Sequence, residues 1–188
     1  MITEYYEDNI LMPRACRAAR MSWDSEHKSD SEKFLVGPND LKLARKLMKA
    51  GSDHSAAFRQ AVVHMKITAS RGWWQHFAKY RIGVEMYSQS VMHTGVRKQY
   101  TRDMFRNEGR YISDETLKSL NNAAEENDLE WLTEILPESF LQTRSIMMSY
   151  PAMRSIYASR SKHRKPEWRE FLGELVGCVK YPELVTGE

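Results

Sequence analysis

The 188-residue chain lacks the marks of several large protein classes. No apolar run approaches the roughly 20 residues of a membrane-spanning helix, and nothing before Arg14 reads as a secretory leader. Only two cysteines occur, Cys16 and Cys178, in no metal or redox spacing, so a reduced, cytoplasmic protein is the expectation. There is no G-x-G-x-x-G and no P-loop, which removes support for a dinucleotide fold or an NTPase core. The histidines at 27, 54, 64, 76, 93 and 163 form no H-E-x-x-H, and no G-x-S-x-G is present, so metal sites and hydrolase chemistry are not expected. The net charge of +3 is too small to mark a polyanion binder by itself. It is unevenly spread, however: Arg154, Arg160, Lys162, Arg164, Lys165 and Arg169 stand against Glu167 alone. Such a cluster suits phosphates, on a nucleotide or a polymer, or is simply a solvated face.

What is present reads as one helix-rich domain over residues 1–188 with a small sheet. Residues 1–12 suit a strand or short arm, and Arg17 to Trp23 a buried turn or a loop that places Ser22 near a site. Asn39 can cap a helix from Asp40 to Ala50, ended by Gly51. From Ala61 to Ala69 the side chains alternate, with Val63, Met65, Ile67 and Ala69 on one face, as in a half-buried strand. Ser70 then caps a helix through Trp73, Trp74, Phe77 and Tyr80, and Val84 to Thr94 reads as a loop. Residues 97–112 are highly charged, as in a surface excursion. Helices follow from Ser113, from Asp128 to Ile135, from Ser139 to Met148 and from Ala152 to Ser159. From Pro166 the stripe Trp168, Phe171, Leu172, Leu175, Val179 marks the clearest helix.

The stretch from Ser70 to Thr94 concentrates planar and hydrogen-bonding side chains to an unusual degree. Trp73 and Phe77 fit a core. Gln75, Lys79 and Arg81 are harder to bury, because an unpaired cation in a core is costly. Ser88, Gln89 and Ser90 either satisfy local backbone or hold a phosphate. A planar cofactor and an anionic substrate would together use these groups.

In order and spacing the pieces resemble the flavin-dependent thymidylate synthases. That family has Ala-Arg-x-Ser near its start, a later Gly-His, the signature R-H-R-x-x-S-x-N-E-x-S-x-R-Y after a strand and helix, then a Leu-Pro break and a helix bearing an Arg. Here these stand as Ala19-Arg20-Met21-Ser22, His54 with Phe58, Lys79-Tyr80-Arg81, Ser88-Gln89-Ser90, Leu136-Pro137 and Arg160. Departures are clear: Lys79 and Tyr80 replace the first Arg and the His, one residue is inserted before Ser90, and Ser149 and Pro151 stand where an Asn-x-Arg box is expected. The wording around Arg160, His163 and Glu167-Trp168 is similar to a divergent, phage-type branch.

The resemblance implies an α+β fold with a small antiparallel sheet flanked by helices, assembled as a homotetramer. It implies a methyltransferase that converts dUMP to dTMP, taking its carbon from methylenetetrahydrofolate and its hydride from FAD reduced by NADPH. Arg160 and Ser90 are then the catalytic candidates. Ser22, His54, Lys79, Tyr80 and Arg81 would face the flavin. Gln75, His76, Ser88, Gln89, Ser90 and Arg160 would face the nucleotide. Two alternatives stay open: a related enzyme making another 5-substituted pyrimidine nucleotide such as hydroxymethyl-dUMP, and a flavinless nucleic-acid-binding protein. A membrane partner is not expected, and nucleic acid is the lesser reading.

Overall fold

The alternation that begins at Val62 is realised as a strand whose inward residues Val63, Met65 and Ile67 are fully buried while His64 and Lys66 face out. The computed structural model describes residues 1–188. Its elements in chain order are β1 (Ile2–Glu7), α1 (Leu11–Met21), α2 (Pro38–Ala50), β2 (Val62–Ser70), α3 (Arg71–Phe77), β3 (Val84–Ser88), α4 (Val91–Thr94), α5 (Asp114–Glu125), α6 (Leu129–Ile135), β4 (Leu141–Ser149), α7 (Tyr150–Arg160), α8 (Pro166–Cys178) and α9 (Pro182–Thr186). The four strands form one sheet in the order β1-β2-β4-β3. β1 runs antiparallel to β2, with Tyr5 opposite Met65 and Glu7 opposite Val63. The bonds Ser149 N–H to Gly83 O and Gln89 N–H to Thr143 O bracket β3 and β4 and fix an antiparallel register between them. The expected α+β class is therefore the one observed. No helix is long and apolar enough to cross a membrane.

β4 overturns the helix expected from Ser139 to Met148. Its apolar residues Ile146, Met147 and Met148 are consecutive and give no clear period, so local pattern cannot choose between helix and strand. Its place between β2 and β3 decides, because both edges of its backbone are hydrogen-bonded there. β3 replaces part of the expected loop for a related reason. Four of its five residues are exposed, so no alternation announces it.

The chain divides into two compact units: Met1–Ile67, Tyr80–Met86 and Ser145–Glu188 form the first, Thr68–Lys79 and Tyr87–Arg144 the second. In the first, α1 buries Met12, Ala15 and Cys16. Residues 17–21 are its last turns rather than a separate turn or loop. α2 starts at Pro38 behind Gly37, not at an Asn39 cap. The Asn39 and Asp40 amides donate instead to the Asp30 carboxylate, at 2.8 and 3.0 Å. Asp40 is itself fully buried and receives Arg20 Nε at 2.6 Å, Ser29 Oγ at 2.5 Å and Ser31 Oγ at 2.6 Å. Burial alone would raise its pKa, but the three donors and the Arg20 charge outweigh that and hold it below the usual carboxylate value. α8 buries Trp168, Phe171, Leu172 and Leu175, the stripe read from the sequence.

In the second unit Ser70 caps α3 by accepting from the Trp73 amide at 3.1 Å. The helix ends at Phe77 rather than continuing through Tyr80. Trp73, Trp74 and Phe77 are all buried, with Trp73 stacked on Phe77 at 5.0 Å and edge-on to Trp74 at 4.8 Å. Ser113 and Asp128 cap α5 and α6. The charged stretch 97–112 is more than an excursion. It sends Tyr100 and Phe105 into a core with Leu120, Ala123, Leu132 and Phe140.

Candidate active site

Arg160 ends α7, and its placement follows from both ends of that helix. Ser149 accepts from the Ala152 amide and Pro151 takes the first turn, where a missing N–H is harmless. The residues that fill the place of the family's Asn-x-Arg box thus start the helix. The Ser149 amide in turn donates to Gly83 O at 2.9 Å, which ties segment 80–83 to the helix start. From that segment Tyr80 reaches the helix end. Arg160 Nε donates to the Tyr80 hydroxyl at 2.6 Å, and that hydroxyl lies 2.8 Å from Ser159 Oγ. The guanidinium also lies over the Tyr80 ring at 5.5 Å and the Trp168 ring at 5.1 Å. Those two rings meet edge-on at 5.9 Å, and Trp168 is fully buried. The cation is held by a phenol oxygen and two ring faces rather than by a carboxylate, so its charge stays available to a ligand.

The surroundings keep that charge concentrated. Desolvation, then the charges of Arg160 and Lys165, hold the His163 pKa below its usual value. His163 Nδ1 accepts from the Lys165 amide at 3.1 Å, which fits a neutral ring protonated on Nε2. Glu167, buried in the first turn of α8, is paired with Lys165 at 3.1 Å. On either side of Arg160 in sequence, Ser159 and Ser161 line an open cleft of about 700 Å³ together with Lys162, His163 and Arg164. That volume lies within the range of small-molecule sites.

Other members of the basic segment are spent locally. Arg154 donates to Leu184 O, Arg169 to His163 O, and Lys165 pairs with Glu167. With Arg160 held by Tyr80, Lys162 and Arg164 remain as the outward cations, a weak basis for gripping a polymer backbone.

In the second unit Ser88 closes β3, Gln89 bonds Thr143 through its backbone, and Ser90 precedes α4. The Ser90 hydroxyl makes no capping bond. The register between β3 and β4 puts Arg144 opposite Ser88. Arg144 carries no sequence signal of its own, since it lies where a helix was expected. Its guanidinium sits 4.7 Å from the Trp74 ring centre and donates to Gln142 Oε1 at 3.1 Å. Burial lowers its pKa, although an arginine stays charged at any ordinary pH. Gln75 is engaged with Glu138 at 2.9 Å, and His76 is partly exposed on α3.

The remaining candidates are scattered. Ser22 lies exposed just past α1, His54 is exposed in the turn after α2, and Lys79 and Arg81 are exposed after α3. Two exposed cations, an imidazole and a hydroxyl are the types of donor that a pyrophosphate takes. No group of His, Cys, Asp or Glu is placed to hold a metal ion. Trp168 and Ser159, the other supports of Arg160, were legible as parts of helices but not as its partners.

Solved structures with this fold include thymidylate synthase X from Helicobacter pylori with FAD and dUMP, at 16% identity, covering 100% of this chain and 96% of that one, TM-score 0.73. A second is the flavin-dependent thymidylate synthase of Helicobacter pylori complexed with FAD and dUMP, at 18% identity, 100% and 97% coverage, TM-score 0.75. The UMP/dUMP methylase PolB from Streptomyces cacaoi bound with 5-Br dUMP also matches, at 13% identity, 99% and 91% coverage, TM-score 0.68. At these identities the likeness speaks to the fold. No curated protein matches by sequence. The model of the family described as thymidylate synthase complementing protein matches residues 11–180, nearly the whole chain, and the protein is a member of that family.

Proposed function

We propose that the chain, acting as one domain over residues 1–188, methylates C5 of deoxyuridylate. The carbon comes from methylenetetrahydrofolate, and the product is thymidylate. The observation that carries this reading is Arg160: a guanidinium at a helix end, braced by Tyr80 and Trp168 and not neutralised by a carboxylate. C5 of a neutral uracil is a poor nucleophile. A fixed cation beside N3 and O2 stabilises the ring anion and makes C5 electron-rich, which is the demand such a residue meets. The family membership and the structures with bound dUMP support the same substrate.

Ser88 and Ser90 supply hydroxyls for the nucleotide phosphate, with Arg144 opposite Ser88 as the cation. Ser90 is assigned as a hydrogen-bond donor, because a serine hydroxyl without an adjacent base is a weak nucleophile. Gln75, His76 and Gln89 are the remaining nucleotide-side candidates. Lys79, Arg81, His54 and Ser22, with Tyr80, would hold FAD, which when bound and reduced by NADPH supplies the hydride. The two sets of residues need not come from one copy of the chain, since we also infer a homotetramer. The exposed side chains of Trp23, Ile82 and Tyr87 are apolar surface that an assembly would cover.

The test is release of tritium from deoxyuridylate labelled at C5, in the presence of FAD, NADPH and methylenetetrahydrofolate. Wild type should release label, and Arg160→Ala, with an unchanged circular dichroism spectrum, should not. Wild-type rates in Arg160→Ala would remove the polarising role. Ser90→Ala should weaken nucleotide binding yet keep residual turnover. Complete loss of chemistry at unchanged affinity would make Ser90 the nucleophile instead. Offering UMP beside dUMP in the same assay reads the sugar preference, for which the PolB match gives a reason to look.

A further inference from the structure

We infer that Tyr80 is a positioning residue that fixes which edge of Arg160 is presented to the pyrimidine. The inference rests on Arg160 as the ring-polarising group and adds how this chain aims it. Ser159 Oγ donates to Ile156 O at 3.1 Å, so it has no proton left for Tyr80 and must accept from it. The Tyr80 O–H therefore points at Ser159, and its oxygen presents a lone pair to Arg160 Nε at 2.6 Å. The donors run in one direction, from Arg160 to Tyr80 to Ser159 to the Ile156 carbonyl. A guanidinium can offer a pair of parallel N–H groups along its side, Nε with one Nη, or at its end, Nη1 with Nη2. With Nε committed to Tyr80, only the end remains for bidentate contact with a ring amide edge.

Two further contacts stop the guanidinium from turning. Its Cζ lies 5.5 Å from the Tyr80 ring centre and 5.1 Å from that of Trp168, and Trp168 is fully buried, which leaves little room to flip. Tyr80 is itself pinned through its neighbour Gly83, whose carbonyl accepts from the Ser149 amide at the far end of α7. One short segment thus touches both ends of the helix that carries Arg160. Arginine is otherwise a side chain with many rotamers, and each lost rotamer has to be ordered on binding unless it is ordered beforehand.

The test uses Tyr80→Phe, Tyr80→His and Arg160→Lys in the full-length protein, with two readouts. The first is steady-state turnover of deoxyuridylate. The second, independent of turnover, is the pH midpoint for ring ionisation of bound 5-fluorodeoxyuridylate, followed by fluorine NMR. Tyr80→Phe keeps the ring and loses the oxygen. It should lower kcat by about ten- to a hundredfold, the value of a hydrogen bond to a charged group. KM should change by less than about threefold, and the ionisation midpoint should rise by about one pH unit. Tyr80→His offers a nitrogen lone pair and should recover part of both. In an Arg160→Lys background, which has no Nε–H fork, Tyr80→Phe should have no further effect on either readout. A working wild type in which Tyr80→Phe leaves kcat and the midpoint unchanged overturns this inference alone. A wild type that neither turns over deoxyuridylate nor binds the fluoro analogue overturns the functional reading and this inference with it. Equal losses from Tyr80→Phe in the wild-type and Arg160→Lys backgrounds would show that Tyr80 acts on something other than Arg160.

Discussion

Replacing Gly83 by alanine probes the joint on which the Arg160 helix rests. Gly83 has φ of 68°, in the left-handed region, where a Cβ costs roughly 1–2 kcal/mol. The new Cβ would also fall 2.3 Å from Ser149 Oγ and 3.4 Å from Ser149 Cβ. Ser149 Oγ is the N-cap of α7, so relieving the collision means giving up the cap, a further loss of about 0.5–2 kcal/mol. Together these give a destabilisation of roughly 1.5–4 kcal/mol. For a domain of this size that is a fall in Tm of about 3–16 °C, read by tryptophan fluorescence during heating. The Ser149→Ala variant separates the two parts. Alone it should lose only the cap, and combined with Gly83→Ala it should be less damaging than the sum, because the colliding oxygen is gone. A Gly83→Ala protein within about 0.5 kcal/mol of wild type would refute the reasoning, and so would strict additivity of the pair.

Asp40→Asn should destabilise the protein by about 3–5 kcal/mol, since it leaves Arg20 beside a neutral amide in a buried site. The folded pKa of Asp40 is depressed, so its contribution is full above the unfolded carboxylate value near about pH 4 and disappears as pH falls through the lower folded value. Urea unfolding across that range should show the gap between wild type and Asp40→Asn closing in acid, and a gap that stays constant would count against the network. Burial first, and then the Asp40 charge, push the Cys16 thiol up to about 12, whereas Cys178 is exposed. Burial and Glu174 raise the Cys178 thiol as well, so a thiol reagent should label one equivalent in the native protein, more slowly than a free thiol, and none in Cys178→Ser. Gly173 sits exposed inside α8 with open space around its Cα, so Gly173→Ala should stabilise by about 0.5–1 kcal/mol in the same melts.

Where side chains meet the core in a regular period, the fold could be read directly from the residues. Val63, Met65 and Ile67 announced β2, and Trp168, Phe171, Leu172 and Leu175 announced α8. Caps were legible when the capping group is local, as with Ser70 and Ser113. They were not when it is distant: α2 is capped by Asp30, across a loop whose shape the Asp40 network sets. β3 and β4 were missed because a strand's identity lies in its neighbours. Four of five β3 residues are exposed, and β4 is a centre strand with no clean alternation. The same error hid Arg144, whose alignment with Ser88 exists only once both strands are paired. Arg160 and Tyr80 were found separately, on opposite sides of an expected site, through resemblance to family motifs. Their direct bond is long-range in sequence, 80 residues apart, and no spacing rule reaches it.

The most direct test of the functional claim is the mass of the nucleotide formed from deoxyuridylate and isotopically labelled methylenetetrahydrofolate, with FAD and NADPH present. The expected result is labelled thymidylate from wild type and none from Arg160→Ala. If wild type retains flavin and binds deoxyuridylate yet returns it unchanged, the claim is contradicted. If the product is instead a hydroxymethylated nucleotide, the carbon transfer at C5 stands and the hydride step does not.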